Sequence, residues 1–352
     1  MGEKHSRRQD RHHDYRYRRS GGEPTSRSRI IRIGVMVGMV VILLVIGAVM
    51  TERLILKNDN TTIDTDWVTV DGVRYRERRL TTFLIMGLDE FGPQDSSGSY
   101  QNSQQADFLM LVAFDHEDKS YSVLHLNRDT MTDVEVLDIT GARTGHTRWE
   151  QLALAHTYGN GLEVSCLNTC RTVSRLLFGV SIDYYISLTM DAVAILNDGL
   201  GGVTLTMPRD YTAIDPAFTE RARVTLSGEQ ALRFVRARMT ADDGTNLSRM
   251  ERQRLYLNAL LSLLSQPELA TEETALKLWR SLSGAESGRG AMLTDATWTQ
   301  IHGLTEDLTD YECRGIFVPQ GEADYSGDYV EFHVDREDLA RLVVSLYLDL
   351  PD

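Results

Sequence analysis

The chain is poor in cysteine, in proline and in net positive charge, and each shortage excludes something. Three cysteines in 352 residues are too few for a disulfide framework or a cysteine-rich zinc site. Seven prolines beside a 42% hydrophobic content exclude a collagen-like or disordered chain and leave ample apolar material for a core. Lys plus Arg number 37 against 51 for Asp plus Glu, a net charge of −14. Sequence-independent nucleic-acid binding needs basic residues to neutralise phosphates, so no nucleic-acid partner is expected. Internal repeats are missing too, and only one long uncharged run occurs.

That run is Ile33 to Met50, extended at its start by Ile30 and Ile31. Residues 30–50 just reach the roughly 20 residues needed to cross a hydrocarbon core. Residues 1–29 form a basic tail with nine Lys or Arg, while Glu52, Asp59, Asp64 and Asp66 follow the run. Positive charge on the first flank places the N-terminus in the cytoplasm. The run exceeds the usual length of a signal-peptide core, and no small-x-small cleavage motif follows it. The expectation is a single-pass membrane anchor with residues 51–352 outside the cytoplasm. Cys166 and Cys170, four apart, are then in a compartment that permits a disulfide, and equally read as two half-buried thiols.

Residues 51–80 are polar and read as a stalk. Thr81 to Leu88, Asp107 to Phe114 and Tyr121 to Leu126 are short apolar or β-branched runs that predict strands. The spacing predicts helices at Trp149 to Tyr158, Val164 to Phe178 and Met190 to Leu200, with a strand at Ile182 to Leu188. Gly201-Gly202 leads into a strand at Val203 to Met207, and helices follow from Ser227 and over Ser248 to Leu264. Beyond Pro267 come two more helical stretches, a strand near Gly315 to Val318 and an amphipathic helix from Asp335 to Leu348. Alternating strands and helices predict an α/β fold, an α/β/α layered domain on a central mixed sheet. Residues 81–265 form its core, and residues 266–352 an extension packing on the same domain.

Charged residues stand where predicted elements end. Asp89 leaves the first strand and Asp107 opens the second. Paired carboxylates at neighbouring strand ends suit a hard cation such as Mg²⁺ completed by substrate phosphates, although aspartate at a strand end is also a common turn former. Asn127-Arg128-Asp129-Thr130 closes the third strand. Arg236 and Arg238 sit at a helix end, and Arg249 and Gln253 share one face of the next helix. Arginine suits bidentate phosphate recognition, because its planar fork matches the oxygens and it stays charged. A solvated helix face is the plainer reading of such a run. His156 reads as a packed histidine satisfied by backbone, and Trp279, Trp298 and Tyr185 as core aromatics.

Taken together the motifs resemble the LytR–CpsA–Psr proteins of bacterial cell envelopes. The resemblance runs from about Thr81 to Leu264. Its pieces are Gly87-Leu88-Asp89, Asp107, Asn127-Arg128-Asp129-Thr130, Ala155-His156-Thr157-Tyr158-Gly159, Asn197-Asp198-Gly199, Leu226-Ser227-Gly228-Glu229-Gln230, Val235-Arg236-Ala237-Arg238 and Arg249-Met250-Glu251-Arg252-Gln253. It implies a Mg²⁺-dependent phosphotransferase that moves a glycopolymer from an undecaprenyl-pyrophosphate carrier to N-acetylmuramic acid of peptidoglycan, with an apolar tunnel for the prenyl chain. By position, Asp89 and Asp107 would hold Mg²⁺, and Arg128, Arg236, Arg238, Arg249 and Gln253 would hold the pyrophosphate. Asp89 is the candidate acceptor of the hydroxyl proton. The alternatives are hydrolysis of the carrier pyrophosphate, and a non-catalytic module that binds the lipid-linked glycan. The sequence departs from the family pattern at Glu90-Phe91-Gly92 and Gln105, where arginines are usual, and at Asn246, where an acid is usual.

Overall fold

A computed structural model describes residues 67–91, 102–138, 140–237, 245–269, 271–284 and 290–350, without the side chains of 304–306. The expected tail and anchor, residues 1–50, lie outside the described residues, as does Arg238. Among the described residues no helix is long and apolar enough to cross a membrane.

The expected mixed sheet is present. Its strands are β3 (Leu80–Leu88), β4 (Phe108–Asp115), β5 (Ser120–Leu126), β8 (Tyr184–Thr189), β11 (Met292–Thr294) and β12 (Glu312–Phe317), in the order β11-β8-β3-β4-β5-β12. Strands β3, β4 and β5 run as an antiparallel meander. Parallel neighbours flank them, β8 against β3 and β12 against β5. Side chains alternate across this sheet. Leu84, Met86, Leu109, Leu111 and Leu124 face one side, where helices α1 (Glu163–Leu176) and α7 (Arg336–Tyr347) supply Cys166, Cys170, Val173, Leu339 and Val343. Phe83, Met110, Val112 and Phe114 face the other, toward α4 (Asn246–Leu264) and α6 (Trp298–Asp310). Both faces are therefore covered by helices.

A second apolar cluster lies among α2 (Asp191–Gly199), α3 (Gly228–Arg236), α4, α5 (Glu272–Ser283) and the ribbon β9–β10 (Thr204–Thr206, Arg223–Thr225). Phe234 anchors it, edge-on to Tyr211 and Phe218 at 5.4 and 5.6 Å. Asn197 and Asp198 are the clasp. Asn197 donates to Leu226 O at 2.7 Å and accepts from Val203 N at 3.1 Å, while Asp198 accepts from Gly228 N at 2.6 Å. A Cβ on Gly228 would meet Ala194 O at 2.8 Å, so glycine is what lets α3 approach α2. Ser227 and Gln230 form a reciprocal cap at the start of α3, worth about 1 kcal/mol.

Two segments differ from expectation. Within the presumed stalk, β1 (Trp67–Val70) and β2 (Val73–Glu77) form a hairpin that pairs with β15 (Leu348–Asp349), and Val68 and Val70 join the main core. The helix expected at Trp149 to Tyr158 is instead the end of strand β7 (Arg143–Gln151) followed by a 3-10 helix over Leu152–Thr157. β7 pairs with β6 (Met131–Leu137). Its polar, exposed sequence carries no apolar alternation to announce it. The hairpin is pinned by Glu135, 1% exposed, which accepts from Arg143 at 2.7 Å and from Arg171 of α1 at 3.2 Å. Cys166 and Cys170 stand as free, buried thiols, and burial raises both above their ordinary pKa.

Candidate active site

Register brings the acidic residues together. Gly87 lies opposite Phe108, and Asp107 N donates to Gly87 O at 2.8 Å. A Cβ on Gly87 would stand 2.8 Å from Phe108 Cβ, so glycine permits this close approach. Asp89 leaves β3 at the same end at which Asp107 enters β4, and both border one cavity.

The arginines arrive from three other elements. Arg128, just past β5, pairs with Asp107 through a short NH1 contact, donates to Gln105 Oε1 at 2.6 Å and to Asp129 at 3.2 Å. Arg249, in the first turn of α4, donates to Asp107 O at 3.1 Å and stands 3.8 Å from its carboxylate. Arg236, last residue of α3, pairs with Asp89 at 3.2 Å. The Arg249 and Arg128 side chains are only 5% and 12% exposed, while Arg236 is 59% exposed. Thus two guanidiniums sit in the wall and one reaches over the mouth. Gln253 donates to Val235 O at 3.4 Å and borders the same cavity.

The helix faces explain the gathering. Arg249, Arg252, Gln253, Tyr256 and Leu260 are buried on α4, a three- and four-residue spacing. Arginine on a buried stripe must find acceptors. Arg252, 1% exposed, donates to Phe234 O at 3.2 Å and to Ala237 O through a short contact. It satisfies the C-terminal carbonyls of α3 and so fixes the point from which Arg236 projects. The sequence reading passed over Arg252, although two arginines on an apolar stripe were a visible signal.

The departures from the family pattern have structural counterparts. Gln105 turns its carbonyl oxygen to Arg128. Asn246 donates to Asn127 Oδ1 at 2.6 Å, and Asn127 also accepts from Asp129 N at 2.9 Å. Arg249 is supported by Asp107, not by an acid at position 246. His156 is packed as expected, with Nδ1 3.0 Å from Gln104 O, and burial lowers its pKa to about 4. It steadies the backbone beside Gln105. His125, 1% exposed, packs against Phe108 with the rings tilted by 46° and their centroids 4.9 Å apart. Burial first, then the charges of Arg254 and Arg249, lower its pKa to about 3.

Below this charged rim lies a cavity of about 940 Å³. One face of the sheet forms its floor, through Phe83, Ile85, Met110, Val112 and Phe114; Tyr256, Leu260, Leu278 and Trp279 from the helices form its roof. Trp279 stands edge-on to Trp298 at 5.7 Å, and Tyr185 is buried on the opposite sheet face. The chemistry is two-part: an anion-binding mouth rich in arginine above a long apolar chamber. Single-sequence reasoning could not find the chamber, because leucines that line a void and leucines that fill one read alike.

Asp89 and Asp107 are the sequence-predicted carboxylates at the mouth, and among the described residues no three His, Cys, Asp or Glu side chains gather to hold an ion. Two hard oxygen donors nevertheless fit Mg²⁺, which keeps several waters and takes the rest of its ligands from phosphate.

An arginine-rich rim thus lies over an apolar chamber on a layered α/β scaffold. The chain belongs to the LytR_cpsA_psr family, whose sequence model matches residues 47–337. It is 26% identical over 198 residues to the polyisoprenyl-teichoic acid–peptidoglycan teichoic acid transferase TagU of Bacillus mycoides, covering 56% of this chain and 57% of that one. The chain spans about half the length of the curated relatives it matches. TagV of B. subtilis shares the fold at 21% identity and a TM-score of 0.57, over 76% of this chain and 96% of that one. So does TagT bound to LIIa-WTA, at 19% identity and a TM-score of 0.56, over 76% and 89%.

Proposed function

We propose that this protein is a membrane-anchored, extracytoplasmic phosphotransferase that joins a glycopolymer carried on polyprenyl pyrophosphate to peptidoglycan. The observation that carries the reading is the mouth holding Arg128, Arg236, Arg249, Asp89 and Asp107 directly above the 940 Å³ apolar cavity. Pyrophosphate suits the mouth and a prenyl chain suits the chamber. Relatives named as teichoic acid transferases support the same direction. The uncharged run at 33–50 behind a basic tail supports the anchor.

Residue roles follow from position. Arg128 and Arg249, set in the wall and already sharing Asp107, offer fixed donors to the pyrophosphate. Arg236, exposed at the rim, closes on the leaving phosphate. Gln253, which borders the cavity, completes the cradle, and the family resemblance assigns Arg238, outside the described residues, to the same role. In the reaction, the oxygen of a muramic acid hydroxyl attacks the phosphorus that bears the glycan. The bond from that phosphorus to the polyprenyl phosphate oxygen breaks, and polyprenyl phosphate departs. The hydroxyl proton passes to Asp89, the most exposed carboxylate of the cluster. Such transfer needs in-line positioning and neutralised charge more than covalent help. Asp89 and Asp107 would hold Mg²⁺, which when bound supplies further neutralisation of the phosphate oxygens.

The test follows polyprenyl phosphate released from a short polyprenyl-pyrophosphate oligosaccharide in the presence of uncross-linked glycan strands. Release by the wild type that falls at least about a hundredfold in Arg128→Ala and in Arg249→Ala is expected. Release that persists unchanged in both variants overturns the assignment.

A further inference from the structure

Three large aromatic side chains stand out in solvent on hairpins that are bonded to Asp129, the neighbour of Arg128. Trp149 is 60% exposed, Tyr325 56% and Tyr329 76%. They come from two hairpins that meet. Trp149 lies on β7, and Gln151, two residues on and therefore on the same strand face, donates to Val330 O at 2.6 Å. Tyr325 and Tyr329 belong to the loop between β13 (Gly321–Asp324) and β14 (Glu331–Val334). Each hairpin is tied to the phosphate clamp. Phe332 N donates to Asp129 O at 2.9 Å, Thr130 bridges to Phe332, and the Asp129 carboxylate accepts from both Arg128 and Gln151. The aromatic faces and the Arg128 guanidinium are thus held by one network.

We infer that Trp149, Tyr325 and Tyr329 form a platform on which sugar rings of the acceptor glycan strand stack, leading the strand to the mouth; the inference rests on the proposed transfer to peptidoglycan. Exposed aromatics are costly in water and give large, rigid contact area to a flat partner with an apolar face and a polar edge, as a pyranose has. Charge selects among glycans. The segment 321–334 carries Glu322, Asp324, Asp328 and Glu331 and no lysine or arginine. That segment repels a polyphosphate chain, Arg148 beside Trp149 is offset by Glu150 at 3.7 Å, and the carboxylates accept hydrogen bonds from sugar hydroxyls and amides. An N-acetylhexosamine backbone fits it, whereas a polyanionic donor polymer does not.

The experiment uses the full chain in detergent, with a soluble tetrasaccharide of alternating N-acetylglucosamine and N-acetylmuramic acid whose lactyl carboxyls are amidated, poly(glycerol phosphate), and polyprenyl pyrophosphate as three separate probes in titration calorimetry. The tetrasaccharide is expected to bind about tenfold more weakly to Trp149→Ala and to Tyr325→Ala/Tyr329→Ala, while Trp149→Phe keeps most of the affinity. Polyprenyl pyrophosphate should bind all variants alike. Equal tetrasaccharide affinity across wild type and variants overturns the platform, and so does poly(glycerol phosphate) binding that depends on the same aromatics. A wild type that binds polyprenyl pyrophosphate but not the tetrasaccharide overturns the platform and leaves the carrier reading standing. A wild type that binds neither overturns both.

Discussion

Replacing Asp107 by Asn should destabilise the protein and at the same time improve its grip on an inorganic anion. The Asp107 carboxylate is shared by Arg128, in direct contact, and Arg249, 3.8 Å away. Both guanidiniums are nearly buried, at 12% and 5% exposure, and the carboxylate itself is 18% exposed. Removing one partner of a buried ion pair costs about 3–5 kcal/mol where the other charge is left uncompensated; here Arg128 keeps the Asp129 carboxylate at 3.2 Å. Partial solvation at the mouth puts the expected loss at the lower end, about 3 kcal/mol. For a domain of this size that is a fall of roughly 5 °C in Tm. Inorganic pyrophosphate then becomes a substitute counter-charge. At a hundred times its Kd it returns about 2.7 kcal/mol to the variant, whereas in the wild type it must first displace the carboxylate. Thermal denaturation followed by circular dichroism, without divalent cations, reads both effects. A variant melting within about 1 °C of the wild type, or a wild type stabilised more than the variant, refutes the reasoning.

Four further outcomes are expected. Leu260→Trp, which places an indole in the apolar cavity, should leave the fold intact and weaken polyprenyl phosphate binding at least about tenfold, as measured by titration calorimetry. Arg252→Met removes the buried donor to Phe234 O and Ala237 O, and chemical denaturation should show a loss of about 2–4 kcal/mol. Gln105→Arg sets a second cation beside Arg128 in place of the present acceptor; Tm should fall, and the gain in Tm on adding pyrophosphate should exceed that of the wild type. His156 and His125 are held neutral by burial, with pKa values of about 4 and about 3, below the ordinary 6.5. Unfolding lets them take up protons, so stability is full above pH 6.5 and drains as pH falls toward those values. Denaturation curves between pH 7 and pH 4 should show this fall, and it should be shallower in His125→Phe.

Much of the scaffold was legible because burial on both sheet faces writes itself as apolar runs. β3, β4 and β5 lie within a residue of the segments read at Thr81, Asp107 and Tyr121. Helices α3 and α4 were legible through caps and spacing, Ser227 and Gln230 in one and the stripe ending at Leu260 in the other. The β6–β7 hairpin was not, because β7 is exposed along most of its length and is held by the ion pairs of Glu135. Leu152, Ala153 and Ala155 carried a helical signal from the 3-10 turn back onto Trp149. At the site, charged residues at element ends pointed to Asp89, Asp107, Arg128, Arg236 and Arg249, and all of them border the mouth. The partners of those residues, Gln105 with Arg128 and Asn246 with Asn127, come from distant parts of the chain, and no spacing rule announces them.

Transfer of a glycan phosphate to a peptidoglycan hydroxyl is the reaction proposed for this mouth. The full chain in detergent, mixed with Mg²⁺, a polyprenyl-pyrophosphate oligosaccharide and uncross-linked glycan strands, tests it by mass spectrometry of the glycan product. A phosphodiester-linked adduct is expected, its yield collapsing in Arg128→Ala and with EDTA. Donor that stays bound and intact, while a family relative forms adduct in parallel, would contradict it.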